Sequence, residues 1–349
     1  MISAPTTEKY IHDNTKLTSG LLILSAGFED RAFDFIKNTI FSKTVSIILI
    51  KFENDIDDND AIYQKYYDCV ASKIDENNIY KVILNQSSPR ELLVDLEKLL
   101  QTMPREITEI SVDISGMPSH VICASLYAIR AYKPSYPVNV IYTSAESYHP
   151  SEGEFEILKK KQIEGVEYLP SSLAREMSEN LILRQFSGQR TNEGQSCLVL
   201  FAGYEVHRSA GVIENVNPSM LLFLYGKPEG EGLEWRLDLS KQLHKKFQKT
   251  RKSAVEEVST LHIKESLDYL DQYYGFIYDD YDLTIAPVCS KMNAVAAYLF
   301  WETYREVQLI FPLPIGYATD RKAEKVGSTY ITILEPKSSL FRNPLSLLK

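Results

Sequence analysis

Two short stretches of the chain place an acidic and a basic side chain directly after an apolar run. Leu21–Arg31 reads LLILSAGFEDR, and Ser196–Arg208 reads SCLVLFAGYEVHR. Each run has the length of a buried strand and leads into Ala-Gly, an aromatic residue and Glu. Ligands of open α/β sheets bind beyond the carboxyl ends of the strands. We therefore expect both Gly-aromatic-Glu turns to lie at such an edge, where Glu and Arg could meet a ligand.

A second strand-turn-helix pattern follows each of these stretches at a similar distance. In SVDISGMPSHVICASLYAI, Asp113 follows Glu29 by 84 residues, and in TIAPVCSKMNAVAAYLFW, Ala286 follows Glu205 by 81 residues. Two landmarks that repeat in register predict an internal duplication. The period of 176 residues between the two Ala-Gly turns is the size of a domain, so it predicts two domains rather than a solenoid.

Apolar runs of strand length alternate with helical patterns in both copies, which predicts parallel sheets covered on both faces. The expected fold class is α/β, with two tandem Rossmann-like domains of mainly parallel strands related by internal duplication. The expected domains are 19–150 and 195–335, joined by a helical bridge and linker at 151–194. Within the bridge, Ser171–Leu183 is predicted to be helical, and Gly188–Gly194 (GQRTNEG) is the most linker-like stretch.

The first copy carries groups suited to general acid–base catalysis. Glu29, Asp113 and His120 are the catalytic candidates, because carboxylates and imidazole can exchange protons with a substrate. The second copy has Ala286 in place of the aspartate, so any such chemistry would belong to one copy. A structural explanation is open for each: a glutamate is favourable at a helix N-terminus, and a histidine on an apolar helix can be a satisfied core residue.

A second set of residues suits the binding of an anionic ligand. Glycine lets the backbone approach a ligand, and small hydroxyls with free N–H groups at a helix start can hold phosphate. The ligand-binding candidates are Gly27, Arg31, Ser115, Gly116, Ser119 and Tyr148 in the first copy, and Gly203, Glu205, Arg208, Ser290, Lys291, Asn293 and Tyr317 in the second. The two tyrosines occupy matching places and are candidates to stack on a base. The glycines could instead serve only tight turns, and the chain has 22 tyrosines.

Familiar cofactor and catalytic motifs are missing from the sequence. It contains no GxxxxGK[ST], GxGxxG, HExxH or GxSxG pattern, so no cofactor is identified and no metal site is predicted. Its four cysteines lie far apart, which is typical of free thiols in a reducing compartment rather than of a disulfide frame.

Composition sets limits on the partners of the protein. The 349 residues are 44% hydrophobic and 24% charged, which suits two globular domains. A net charge of −9 argues against general DNA binding, although a small anionic ligand remains compatible with it. No signal peptide and no apolar run of about 18–20 residues is evident, so we expect a cytoplasmic protein without membrane attachment.

The segment VDISGMPSHVICASLYAI resembles the Asp-x-[Ser/Thr]-Gly-Gly-x-Lys strand-helix motif of CRISPR-associated Rossmann-fold (CARF) domains. IAPVCSKMNAVAAYLFW looks like the same motif with Lys291 kept and the aspartate lost. The duplication is similar to SAVED domains, which resemble two fused CARF units. The resemblance implies a sensor of cyclic oligonucleotides made during antiphage defence. The chain departs from the pattern at Met117-Pro118, and its first copy has no motif lysine.

Three functions are open at this point. The first is a nucleotide or cyclic-oligonucleotide sensor that holds its ligand in the cleft between the two domains. The second is an enzyme that hydrolyses or transfers a nucleotide or nucleoside group with Glu29, Asp113 and His120. The third is a non-catalytic scaffold subunit with a protein partner in a defence system.

Overall fold

The structure is a computed structural model that describes residues 5–10, 16–17, 20–42, 44–53, 59–85, 88–103, 107, 109–165, 168–170, 173–174, 176–189 and 195–336. The strands are β1 (Thr7–Tyr10), β2 (Lys16–Leu17), β3 (Leu21–Ser25), β4 (Ile40–Phe41), β5 (Ser46–Glu53), β6 (Ile79–Asn85), β7 (Ile110–Asp113), β8 (Val138–Thr143), β9 (Met177–Leu181), β10 (Ser196–Ala202), β11 (Met220–Lys227), β12 (Ser253–Ser259), β13 (Asp282–Pro287), β14 (Gln308–Leu309), β15 (Phe311–Pro314) and β16 (Thr329–Leu334). The α-helices are α1 (Asp30–Asn38), α2 (Asn59–Ala71), α3 (Glu91–Thr102), α4 (Ser119–Tyr132), α5 (Glu152–Ile163), α6 (Val206–Val216), α7 (Glu234–Thr250), α8 (Ile263–Ile277) and α9 (Lys291–Thr303). Short 3-10 helices cover Glu76–Asn78, Arg184–Phe186 and Thr319–Arg321.

The chain divides into two compact units. Among the described residues, the first unit comprises Pro5–Glu146 and residues 324–336, and the second comprises Ser147–Ala323. The second unit is thus inserted in the chain between β8 and β16 of the first.

The first unit is built on a seven-stranded sheet in the order β1-β16-β8-β7-β3-β5-β6. The five strands from β8 to β6 are parallel, whereas β16 and β1 are antiparallel to their neighbours. Residues 21–24 and 47–50 are almost completely buried. Such unbroken apolar runs are what parallel strands covered on both faces require.

The second unit contains a five-stranded parallel sheet in the order β12-β11-β10-β13-β14. When the parallel strands of each unit are numbered along the chain, both sheets have the order 3-2-1-4-5, which is typical of nucleotide-binding α/β folds. The mixed α/β, Rossmann-like fold is therefore confirmed.

The two sheets also share a register. Asp113 pairs with Leu24, three residues before Gly27, and Ala286 pairs with Leu200, three residues before Gly203. The sequence landmarks thus occupy equivalent places in the two sheets. A common ancestry of the two units stays a prediction.

Some local predictions differ from the structure. The predicted helix at Ser171–Leu183 is wrong, because β9 lies there and pairs antiparallel with β15. The edge strand β12 was not predicted, because its sequence SAVEEVS carries two exposed glutamates and no apolar run. The acidic residues 54–58 and linker residues 190–194 lie outside the described residues.

Two segments fall in a different unit from the one that sequence order suggests. β16, expected within 195–335, pairs along its whole length with β8 of the first unit. α5, expected in a separate bridge, packs Phe155 and Leu158 against Leu239 of α7 in the second unit. In the described part of the chain, no helix has both the length and the apolar character to cross a membrane.

The close approach of the turns after β3 and β7 generates a stability prediction. A Cβ atom on Gly27 would lie 2.9 Å from the Cα of Gly116, whereas one on Gly275 in α8 would meet nothing within 4 Å. We expect Gly27→Ala to lower the free energy of unfolding by about 1–3 kcal/mol through overpacking. The control Gly275→Ala should raise it by about 0.5–1 kcal/mol because alanine favours a helix. Urea unfolding followed by circular dichroism measures both, and an unchanged Gly27→Ala would contradict the close packing.

Candidate functional site

The carboxyl edge of the first parallel sheet brings together two turns and one helix start. β3 leads into Gly27, β7 leads into Gly116, and α4 begins nearby at Ser119. A Cβ on Gly116 would lie 2.9 Å from Ser25 Oγ, so both glycines are needed for the turns to meet at backbone distance. We call the edge formed by Gly27, Gly116 and Ser119, all of them partly exposed, the first rim.

Glu29 and Arg31 form a buried ion pair beside this rim. Nη2 and Nε of Arg31 donate to Glu29 Oε2 at 2.7 and 3.1 Å. Nη1 of Arg31 donates to the carbonyl oxygen of Thr143, at the end of β8, at 2.8 Å. Glu29 occupies the position before α1 but makes no side-chain capping bond there. The pair therefore ties the first turn to the fifth parallel strand.

The second unit has a similar ion pair, in which the glutamate and the arginine are three rather than two residues apart. Nη1 of Arg208 donates to Glu205 Oε2 at 2.5 Å, and Nε and Nη2 of Arg208 donate to the carbonyl oxygen of Pro312 at 3.1 and 2.8 Å. The other oxygen, Glu205 Oε1, accepts the N–H of Ala174 at 2.7 Å. Burial alone would raise the pKa of Glu205, but Arg208 and the Ala174 N–H outweigh it and hold the pKa below its ordinary value. In both units these arginines bind protein carbonyls, and their predicted role in ligand binding stays a prediction.

Asp113 and Ser115 hold the turn after β7. Asp113 Oδ1 accepts the N–H of Ser115 at 2.9 Å, and Ser115 Oγ accepts the N–H of Thr143 at 2.8 Å. The backbone of Thr143 is therefore bonded to both turns of the first unit, since its carbonyl oxygen accepts from Arg31 and its N–H donates to Ser115. Asp113, Glu29 and His120 are 2%, 9% and 7% exposed. Their predicted catalytic roles are not tested by this geometry and stay predictions.

Tyr66, a residue that the sequence pattern did not single out, reaches the first rim from α2. Its hydroxyl donates to the carbonyl oxygen of Gly27 at 3.1 Å. Burial raises the pKa of Tyr66 well above its ordinary value, and the nearby charges of Asp113 and Glu29 add to the effect. In the sequence, Tyr66 is one of several aromatic residues of α2 and carries no signal that separates it from the core.

The corresponding helix start in the second unit is closed by its own side chains. Ser290 Oγ accepts the N–H of Asn293 at 3.0 Å, and Asn293 Oδ1 accepts the N–H of Ser290 at 3.2 Å, which forms a capping box. Asn293 Nδ2 also donates to the carbonyl oxygen of Ser259 at 3.2 Å. By contrast, Pro118 precedes α4, which has no side-chain cap. The predicted ligand groups Ser290 and Asn293 are thus engaged in helix capping.

The remaining candidates of the second unit lie at several places. A Cβ on Gly203 would be 3.2 Å from the Cα of Cys289, the counterpart of the Gly27–Gly116 approach. Burial raises the pKa of Cys289 to about 12, so its thiol is not a ready nucleophile. Lys291 is the partly exposed first residue of α9.

The two tyrosines proposed to stack on a base both belong to the second unit. Tyr148, assigned by sequence order to the first copy, has its ring 5.7 Å from the guanidinium of Arg236, which also faces Tyr204 at 5.4 Å. Tyr317 forms an isolated antiparallel bridge with Ala174. Within the described ranges, no group of three or more His, Cys, Asp or Glu side chains is placed to hold a metal ion.

No protein-family model matches the chain, and no curated protein matches it. Among solved structures, a Type III CRISPR defence DNA nuclease activated by cyclic oligoadenylate aligns with a TM-score of 0.47 and 10% identity over 80% of this chain and 63% of that one. The chain thus spans less than two thirds of that nuclease.

Two further solved structures align less well. The cytoplasmic domain of a prokaryotic cation chloride cotransporter gives a TM-score of 0.23 at 12% identity over 86% of this chain and 96% of that one. The N-domain of a bacterial malonyl-CoA reductase with NADP gives 0.24 at 10% identity over 82% and 80%. At these identities and TM-scores, none of the three matches carries a functional assignment.

The Glu29–Arg31 pair gives a testable energetic prediction. Arg31→Met leaves Glu29 buried without its cation, and we expect it to destabilise the first unit by about 3–5 kcal/mol. The double variant Glu29→Gln/Arg31→Met removes the stranded charge and should recover most of this loss. Urea unfolding of both variants and the parent measures the coupling, and equal stabilities of the single and double variants would contradict it.

A buried histidine in the second unit gives a pH dependence. His244 of α7 donates from Nδ1 to the carbonyl oxygen of Ser240 and accepts from Ser209 Oγ at Nε2, each at 2.8 Å, when Nδ1 carries the proton. Burial lowers the pKa of His244 to about 4. The side chain is therefore a neutral connector between α6 and α7.

We expect this histidine to make the protein less stable as the pH falls. In the unfolded chain the pKa of histidine is about 6.5. Between that pH and about 4, the unfolded state therefore binds a proton that the folded state does not bind. Stability should fall by up to about 1.4 kcal/mol per pH unit in that window. His244→Gln, which keeps a neutral donor and acceptor, should lack this component. Urea unfolding at pH 7.5 and 5.0 checks it, and an equal pH dependence in the variant would refute the assignment.

Proposed function

We propose that the protein binds a nucleotide-type ligand at the first rim and acts as a binding module. The strand order reverses direction between β3 and β7 in the first sheet, and such switch points are where α/β proteins bind ligands. The Gly27 and Gly116 turns meet at this place. Glycine backbones at close approach leave room for a ligand to lie directly on the main chain.

The asymmetry between the two helix starts carries the proposal. α4 begins at the first rim without a side-chain cap, and Ser119 and Gly116 beside it are partly exposed. α9 of the second unit fills the same position with its Ser290–Asn293 capping box. Because first-turn N–H groups and the helix dipole attract anions, an uncapped start at a switch point suits a phosphate.

The geometry of the first rim suits any phosphate-bearing ligand, and the sequence resemblance specifies the ligand further. The resemblance of the β7–α4 segment to the CARF motif favours a cyclic oligonucleotide, and a sensing role in antiphage defence follows from it. Lys291, Tyr148 and Tyr317 remain proposed ligand groups of the second unit.

The variant Ser119→Asp tests ligand binding without disturbing the fold. An added carboxylate at the first position of α4 favours the helix dipole, so the variant should fold at least as stably as the parent. The same charge repels phosphate, so we expect its affinity for a bound nucleotide to fall about tenfold or more. Isothermal titration with cyclic and linear oligoadenylates measures the affinity.

Gln101→Glu is the matched control. It adds the same charge at the exposed C-terminal end of α3, at the opposite edge of the same unit, and should leave binding unchanged. No binding of any nucleotide to the parent protein would refute the proposal. A loss in Lys291→Gln as large as that in Ser119→Asp would place the site in the second unit. Turnover of the ligand that disappears in Glu29→Gln would favour the enzyme instead.

A further inference from the structure

The C-terminal half of α7 concentrates positive charge in an acidic protein. Residues 241–252 read KQLHKKFQKTRK, with six Lys or Arg and no Asp or Glu, in a chain of net charge −9. The run also holds the buried His244, but its cations are not part of the first rim.

Three of these cations are not neutralised by the protein. Lys245, Lys246 and Lys249 are exposed, and none of them forms an ion pair with any residue that the structure describes. At about 100° per residue, they share about 100° of the surface of α7. Their neighbours are already engaged: Lys241 pairs with Glu257, and Arg251 donates to Asn217 Oδ1 at 3.0 Å.

Helix α5 packs beside the first half of α7. The ring of Phe155 on α5 stacks on Trp235 of α7 with centroids 5.9 Å apart, and further along Gln162 of α5 is hydrogen-bonded to Gln242 of α7. The two helices therefore run side by side in the same direction. We call Lys245, Lys246 and Lys249 the basic face.

Helix stability alone does not account for the basic face. Cations favour the C-terminal end of a helix, but the effect is confined to the last turn. α7 ends at Thr250, so Lys249 lies in that turn, whereas Lys245 and Lys246 precede it. The C-terminal end of α7 leads into the start of β12, at the amino edge of the second sheet. The basic face is therefore not part of a carboxyl-edge site.

The residue type indicates the kind of partner. Protein interfaces are enriched in Arg and depleted in Lys, because guanidinium offers a fixed fork for carboxylates. Lysine is a mobile point charge that suits phosphate contacts without defined geometry. The rise between Lys245 and Lys249 is about 6 Å along the helix, so successive lysines can reach separate groups of an extended polyanion.

We propose that the basic face binds the phosphodiester backbone of a nucleic acid without reading its sequence. The net charge of −9 opposes a long polyanion over the rest of the surface, so the contact is local and strongly dependent on salt. This proposal is independent of the nucleotide site at the first rim.

The test uses the full chain and a fluorescein-labelled 20-nucleotide strand of mixed sequence, as single-stranded RNA, single-stranded DNA or duplex DNA. Fluorescence anisotropy at 50–200 mM KCl gives the affinity and its salt slope. Lys245→Gln/Lys246→Gln/Lys249→Gln should weaken binding at least tenfold at 50 mM KCl. For a single strand it should also reduce the slope of log K against log salt by about 2, since each phosphate contact contributes about 0.7.

The matched control removes three positive charges elsewhere. Lys37→Gln/Lys65→Gln/Lys98→Gln changes exposed lysines of the first unit and should retain affinity within about twofold. Replacement of the three basic-face lysines by Arg should also preserve binding and shows that charge is what matters. Equal losses in the two glutamine variants, or no binding by the parent at 50 mM KCl, would overturn the proposal. So would equal displacement of the strand by polyglutamate or by anionic lipid vesicles.

Discussion

In each unit, an arginine paired with the glutamate of the first turn also binds a backbone carbonyl far along the chain, and the path of that turn depends on this contact. In the first unit Arg31 binds Glu29 on one side and the Thr143 carbonyl on the other. In the second unit the partly buried Arg208 binds Glu205 and the carbonyl oxygen of Pro312 in β15, which pairs with β9. A buried charge is tolerated only when it is paired and hydrogen-bonded, so each pair fixes the path of its turn. The Gly-aromatic-Glu pattern therefore recurs in a structural role, because its glutamate pairs with the arginine that holds each turn.

The two units differ where a ligand would meet the backbone. Both bring the turn after the first strand against the turn after the fourth, through Gly27 with Gly116 and through Gly203 with Cys289. The first unit leaves the following helix start uncapped, and the second closes it with Ser290 and Asn293. Two sheets of identical strand order therefore offer different surfaces at equivalent places.

Sequence patterns predicted the sheets better than they predicted the site. Unbroken apolar runs such as those of β3, β5 and β10 specify strands buried on both faces, and their order gave the α/β class. β9 and β12 were missed because their pairing partners, β15 and β11, supply bonds that a local window does not contain. Turn chemistry in the sequence singled out Gly27, Gly116 and Ser119, which the structure brings together at the first rim. Tyr66 was not singled out, since only the packing of α2 brings its hydroxyl to Gly27.

The sequence by itself determined the fold class, the two repeated turns and the register between them, because apolar periodicity and glycine positions are local properties of the chain. Tertiary structure decided what those residues do. It placed Arg31 on the carbonyl oxygen of Thr143, brought the hydroxyl of Tyr66 to the carbonyl of Gly27, and paired β16 with β8 of the first sheet. These contacts join residues far apart in the chain, and burial sets their energies, so no spacing rule along the chain contains them.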